Sequence, residues 1–249
     1  MMTIDFSVDR TNMRGIIRES PKQLEQAIHM VRELPVPKRI ERVVVSGMGG
    51  SALAGDIVLA AFPQARKPIT VSRNYTLPPD VGRRTWVFAC SFSGTTEETL
   101  ASFQEALERN AQITGITTGG TLLELCRANG VPVGVMEVDT KRVQPRFCTG
   151  MFFGALALLL SRAGVIDFNP AELLALRDFL SGLDLEEKGR SLAESFFGYV
   201  PVVYASDRYG ASLARIMKIK FNENSKVPAF YEVFPELNHN DMVGFSRGS

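Results

Sequence analysis

Between residues 42 and 137, five short apolar runs alternate with stretches of helical character. The runs are Arg42 to Ser46 (RVVVS), Pro68 to Ser72 (PITVS), Trp86 to Ser91 (WVFACS), Gln112 to Thr117 (QITGIT) and Val131 to Glu137 (VPVGVME). Ser51 to Ala61, Thr96 to Asn110 and Leu122 to Asn129 carry the helical pattern between them. Strands that are apolar throughout, rather than at every second position, are buried on both faces. Separated by helices, they imply a parallel sheet covered on both sides. The expected fold is therefore α/β and doubly wound.

The flanking segments extend this reading. Pro21 to Leu34 places Leu24, Ala27, Ile28, Val31 and Leu34 on one helical face, and Pro35 and Pro37 stop it. Helices are expected over Thr149 to Ala163, Pro170 to Ser181 and Leu185 to Phe197. The alternation then restarts with a strand at Pro201 to Ser206, a helix at Tyr209 to Glu223 and a strand at Ala229 to Val233. This divides the chain into an N-terminal helical segment (1–40), a first α/β domain (41–165), a helical connection (166–198) and the opening of a second α/β unit (199–249). A strand, a helix and a strand cannot close a core of their own, so the second unit reads as incomplete. The final Ser246 to Ser249 reads as an appended junction as readily as a folded end.

Composition narrows the function classes. Lys and Arg number 28 against 27 Asp and Glu, a net charge of +1, so bulk charge recommends neither nucleic acid nor an acidic membrane as a partner. The longest apolar run, Met151 to Leu160, is short of the roughly 20 residues that span a bilayer. The N-terminus is polar and of mixed charge, unlike a signal peptide. Three cysteines without CxxC spacing suggest reduced thiols in the cytoplasm, and Cys90 and Cys148 read as buried and structural. The two histidines, His29 and His239, lie too far apart for a histidine-rich zinc site, and no metal is expected. His29 reads as exposed and without a role.

Two strand-to-helix turns carry the chemistry. In SGMGGSALAGD, Ser46 to Asp56, the glycines at 47, 49 and 50 let the backbone approach a ligand, and the following helix offers free N–H groups to an anion. A merely tight turn is the alternative. A dinucleotide site is a poor third, since Gly47, Gly49 and Ala52 fit G-x-G-x-x-G loosely and the next strand ends in Ser72 rather than an acid. In CSFSGTTEET, Cys90 to Thr99, Ser91, Ser93, Thr95 and Thr96 surround Gly94 at a helix start. Capping by Ser93 or Thr95 explains one or two of these hydroxyls. Four beside a glycine suggest a cradle for phosphate oxygens, and the missing Walker lysine favours a sugar phosphate over a nucleotide.

GMGGSALAGD, SFSGTTEET and the later NENSK and PELNHN together resemble the bifunctional phosphoglucose/phosphomannose isomerase family, built from sugar isomerase (SIS) domains in the phosphoglucose isomerase superfamily. The similarity runs from about residue 10 to residue 245. It implies an aldose–ketose isomerase acting on glucose 6-phosphate and mannose 6-phosphate through a cis-enediol(ate), without a cofactor. By match, Ser51, Ser91, Ser93 and Thr96 bind the phosphate, with Gly49, Gly50 and Gly94 shaping the substrate loop. Glu223 is the base that moves the proton, His239 assists ring opening, and Arg146 stabilises the developing charge. The resemblance also implies a homodimer in which His239 reaches the neighbouring subunit's site.

On the residues alone the plainer readings come first: a helix-end carboxylate for Glu223, a structural imidazole for His239, a solvated surface arginine for Arg146. Relatives continue for several tens of residues past this point and carry there an active-site lysine. The alternatives are therefore a sugar-phosphate-binding SIS module without turnover, or an inactive fragment of the isomerase.

Overall fold

The computed structural model describes residues 6–245. The junction reading of Ser246 to Ser249 lies outside them. The described residues form two compact units, 6–183 and 184–245.

The first unit begins with a 3-10 turn, Phe6–Val8, and helices α1 (Met13–Glu19) and α2 (Lys22–Val31). The alternating core follows: β1 (Arg42–Gly47), α3 (Gly49–Ala61), β2 (Ile69–Ser72), β3 (Thr85–Ser91), α4 (Glu97–Glu108), β4 (Gln112–Thr117), α5 (Gly120–Ala128) and β5 (Val133–Val135). A 3-10 turn, Pro145–Phe147, leads into α6 (Thr149–Arg162), and α7 (Pro170–Ser181) completes the unit. The five strands are all parallel, in the order β2-β1-β3-β4-β5.

Burial explains the apolar runs. Every residue of β3 is buried, and β1 and β4 are buried after their first residue. Side chains alternate between two cores, as strand geometry requires. Val43, Val45, Trp86, Phe88 and Ile116 point to the face covered by α2, α3 and α6. Val44, Val87, Ala89 and Ile113 point to the face covered by α4 and α5. The apolar segment Met151–Leu160 is buried throughout and forms the body of α6. Among the described residues no helix is long and apolar enough to cross a membrane.

Within this first unit two elements differ from expectation. α1 was not foreseen; Asn12 caps it in the left-handed region, accepting from Gly15 N. β5 is three residues rather than seven, because it is an edge strand with only Gly115 to Thr117 of β4 to pair against.

The second unit contains α8 (Glu186–Phe196), β6 (Val202–Ser206) and β7 (Phe230–Phe234), paired in parallel. Between the strands runs a helical stretch made of α9 (Asp207–Tyr209), a π turn (Gly210–Ala214), α10 (Arg215–Lys220) and a second π turn (Phe221–Ser225). A 3-10 turn, Glu236–His239, and α11 (Asp241–Gly244) follow. One face of the two-stranded sheet packs on the helical stretch. The other exposes Val202, Tyr204, Phe230 and Phe234.

Candidate active site

The strand order reverses between β1 and β3. Chain runs leave these neighbours in opposite directions, which opens a crevice beyond their C-terminal ends. Both motif turns lie there. β1 ends at Gly47, Met48 is extended, and Gly49, at φ 46°, turns the chain into α3. The space is fully used. A Cβ on Gly47 would stand 2.7 Å from the Cys90 carbonyl oxygen, and one on Gly50 would stand 2.6 Å from the Arg146 backbone nitrogen. Three segments distant in sequence therefore touch through glycine backbone. Ser51, in the first turn of α3, is buried, and its Oγ accepts from Phe92 N at 3.0 Å. That amide belongs to the second motif, so the two turns are directly coupled.

In the second turn Ser91 is buried at the end of β3. Its Oγ accepts from Gly94 N at 3.0 Å and lies 2.8 Å from Thr96 Oγ1. Ser93 is exposed and accepts from both the amide and the hydroxyl of Thr95. Gly94 adopts φ 70°, and a Cβ there would lie 1.8 Å from the Gly119 carbonyl oxygen. The N-cap of α4 is Thr96, and its side chain makes no capping bond. The capping reading of Ser93 or Thr95 is thus corrected: the hydroxyls bond one another and the loop, leaving the first amides of α4 uncapped by a side chain. Glu97 and Glu98 occupy the first turn of that helix, as its dipole favours. Glu98 chiefly, with partial burial and Glu97 adding to it, raises the Tyr75 phenol above its ordinary value.

A third turn, outside the two motifs, lies against them. Thr117, Thr118, Gly119 and Gly120 (TTGG) repeat the strand–hydroxyl–glycine pattern after β4. Thr118 donates from both N and Oγ1 to the Phe92 carbonyl, and Leu122 N donates to the Gly94 carbonyl. The signal was the repeat of that pattern at a third strand end.

Arg146 sits in the 3-10 turn before α6. Its guanidinium lies over the Phe147 ring, 4.8 Å from the centroid, and its backbone closes on Gly50. The turn is fixed from behind by Gln23, whose Nε2 donates to the Phe147 carbonyl at 2.6 Å. Gly49, Gly50, Ser51, Ser91, Ser93, Gly94, Thr96 and Arg146 are thus gathered at one end of one sheet. Two helix starts and several hydroxyls offer hydrogen bonds to an anion there, beside a permanent positive charge.

Glu223 and His239 belong to the second unit. Glu223 is half-buried in the π turn Phe221–Ser225, which ends at Lys226 with φ 58°. His239 is exposed at the end of the 3-10 turn that the buried Leu237 anchors. Amides brace both places: Asn222 Oδ1 accepts from Ala229 N, and Asn240 Oδ1 accepts from Asp241 N. Among the described residues no group of three His, Cys, Asp or Glu stands together as metal ligands do.

Residues 185–249 match the family model of the bacterial phospho-glucose isomerase C-terminal SIS domain. The chain is 33% identical to the bifunctional phosphoglucose/phosphomannose isomerase of Caldicellulosiruptor bescii, over 90% of this chain and 69% of that protein. It is 37% identical to the protein of the same name from Aquifex aeolicus, over 82% of this chain and 62% of that one. The chain thus spans a little under or over two thirds of these relatives' lengths. Among solved structures it resembles tagatose-6-phosphate ketose/aldose isomerase from Escherichia coli, with a TM-score of 0.62 over 97% of this chain and 72% of that one. At 17% identity that likeness concerns the fold.

Proposed function

The chain belongs to the bifunctional phosphoglucose/phosphomannose isomerase family, and from that premise we propose that it interconverts glucose 6-phosphate and mannose 6-phosphate with fructose 6-phosphate. The observation that carries the reading is the coupled pair of turns, with Ser51 bound to Phe92 N and Arg146 seated on Gly50. In this reading Ser51, Ser91, Ser93 and Thr96 hold the 6-phosphate, with Gly49, Gly50 and Gly94 giving it room. Binding at the phosphate aligns the reacting carbons and so lends remote binding energy to the chemistry.

His239 moves the proton that opens the sugar ring, a task suited to a group that titrates near neutral pH. The Glu223 carboxylate then takes the proton from C2 of the open-chain aldose. The C2–H electron pair forms the C1=C2 bond, and the C1 carbonyl oxygen gains the negative charge beside Arg146. Return of the proton to C1 and transfer of the O2 hydroxyl proton to O1 leave O2 as the carbonyl oxygen and give the ketose. The substrate gains and loses no atom or electron overall. We further infer a homodimer in which His239 serves the neighbouring subunit's site. The reaction belongs to the cytoplasm, in keeping with three unpaired buried cysteines.

A coupled isomerase assay on the full 249-residue chain tests this. Turnover of fructose 6-phosphate that disappears in Glu223→Gln, while 6-phosphogluconate still binds, is the expected result. Full activity in that variant would overturn the assignment of the base. Sugar-phosphate binding without turnover in the wild-type chain would instead make it a binding module.

A further inference from the structure

Asp56 is a buried charge that the proposed chemistry does not use. It is the sole charged residue of α3 and only 3% exposed. Its partner is Arg73, the first residue after β2, whose Nη2 lies 2.5 Å from Asp56 Oδ2 and 3.4 Å from the Ala52 carbonyl oxygen. A buried ion pair is often no more stabilising than a well-packed apolar pair, because both charges lose their water. Packing of α3 against the sheet does not by itself call for a charge at position 56. What an arginine adds is a rigid fork with defined directions. Here one nitrogen of that group, Nη2, reaches two successive turns of α3, one of them adjoining Ser51.

The same connection is fastened at its other end to the opposite layer. Asn74 O accepts from Ser102 Oγ, Leu77 N donates to Glu105 Oε2, and the Pro78 carbonyl accepts from Arg109 Nη1. All three partners lie on α4 or at its end, and Leu77 packs in the core that contains Phe103. The β2–β3 connection thus ties α3 on one face of the sheet to α4 on the other. Those two helices begin at the two turns whose hydroxyls form the cradle.

We propose that Asp56 and Arg73 are positioning residues for phosphate binding: their ion pair locks α3 to the β2–β3 connection and, through it, sets the spacing between Ser51 and the Ser91–Thr96 turn. The inference rests on the sugar-phosphate reading of that crevice.

Equilibrium titration of the full chain with inorganic phosphate and with fructose 6-phosphate tests it without requiring turnover. The variants are Asp56→Asn, Arg73→Gln, the two combined, and Arg73→Lys, with thermal unfolding measured alongside. Each neutral variant is expected to weaken both ligands about tenfold, since small misplacements of binding groups are costly. The double variant should be no weaker than the singles, as for two members of one unit. Arg73→Lys, which keeps the charge without the fork, should fall between. Wild-type affinity in variants that merely melt earlier would overturn this inference alone, leaving the phosphate site in place. A wild-type chain that binds neither ligand would overturn both. Should Asp56→Asn fail to fold, the two Arg73 variants, at a side chain 25% exposed, decide the matter in the same way.

Discussion

The Ser51 hydroxyl accepts a hydrogen bond from the Phe92 amide at 3.0 Å, across 41 residues of chain. With its oxygen engaged as acceptor, the serine keeps its proton for another partner. One side chain thus joins the two turns and still offers a donor to an anion in the crevice. Ser51→Ala would leave a buried amide unsatisfied, at a cost of about 1–3 kcal/mol. Chemical denaturation should show that loss, and phosphate titration should show weaker binding in the same variant. Unchanged affinity would remove Ser51 from the phosphate site.

Gly50 and Gly94 should respond differently to alanine. At Gly50 a methyl group meets the Arg146 backbone at 2.6 Å, so Pro145 and Arg146 must shift. Helix propensity offsets only part of that strain, because the nearest atoms are all backbone, and the melting temperature should fall. Turnover should fall by about a hundredfold if Arg146 is displaced by an ångström. At Gly94 the methyl meets the Gly119 carbonyl oxygen at 1.8 Å in a backbone with positive φ. Gly94→Ala should destabilise the protein by more than about 2 kcal/mol, which the same melts would reveal.

Arg146→Ala should lower kcat by about 10²–10³ with little change in KM, the pattern of a group that meets charge developed in the transition state. Arg146→Lys should recover part of the rate, since it restores charge without the planar fork. A rise in KM alone would make Arg146 a ground-state binding residue.

The three thiols should be inert in the native protein. Burial pushes Cys126 up to about 11 and Cys148 up to about 12, and raises Cys90 as well. Alkylation at pH 8 should be slow until denaturant is added, because the thiolate is the reactive form. The linkage has a definite sign. Thiols held protonated by the fold leave stability intact below the ordinary value of 9.0. Stability is then lost as pH rises through the raised values. Melts between pH 8 and pH 11 should show a decline that begins above about pH 9 and is weaker in a Cys126→Ala variant.

Local signals proved sufficient where the cause is local. WVFACS is buried at every position, as a run without alternation requires. The Asn169–Pro170–Ala171–Glu172 stretch forms a complete capping box at the start of α7. Other features depended on neighbours far along the chain. A single helix from Tyr209 to Glu223 was expected, yet the stretch runs from Asp207 to Ser225 with two π turns. Gly210 packs against Val233, where a Cβ would lie 2.4 Å from its Cγ2. The glycine reads as a helix weakness in sequence and as a close contact in the fold. Arg73 carries no local signal in the sequence, and its position is defined by Asp56, 17 residues away.

The order of residues by itself determined the layered α/β fold, the buried strands and the hydroxyl-rich and glycine-rich turns, because burial pattern and turn chemistry act over a few residues. Tertiary structure alone decided that Ser51 meets Phe92, that Arg146 closes on Gly50, and that Asp56 is held by Arg73. Those contacts follow from strand order and register, which bring together turns separated by tens of residues, and no local periodicity encodes them.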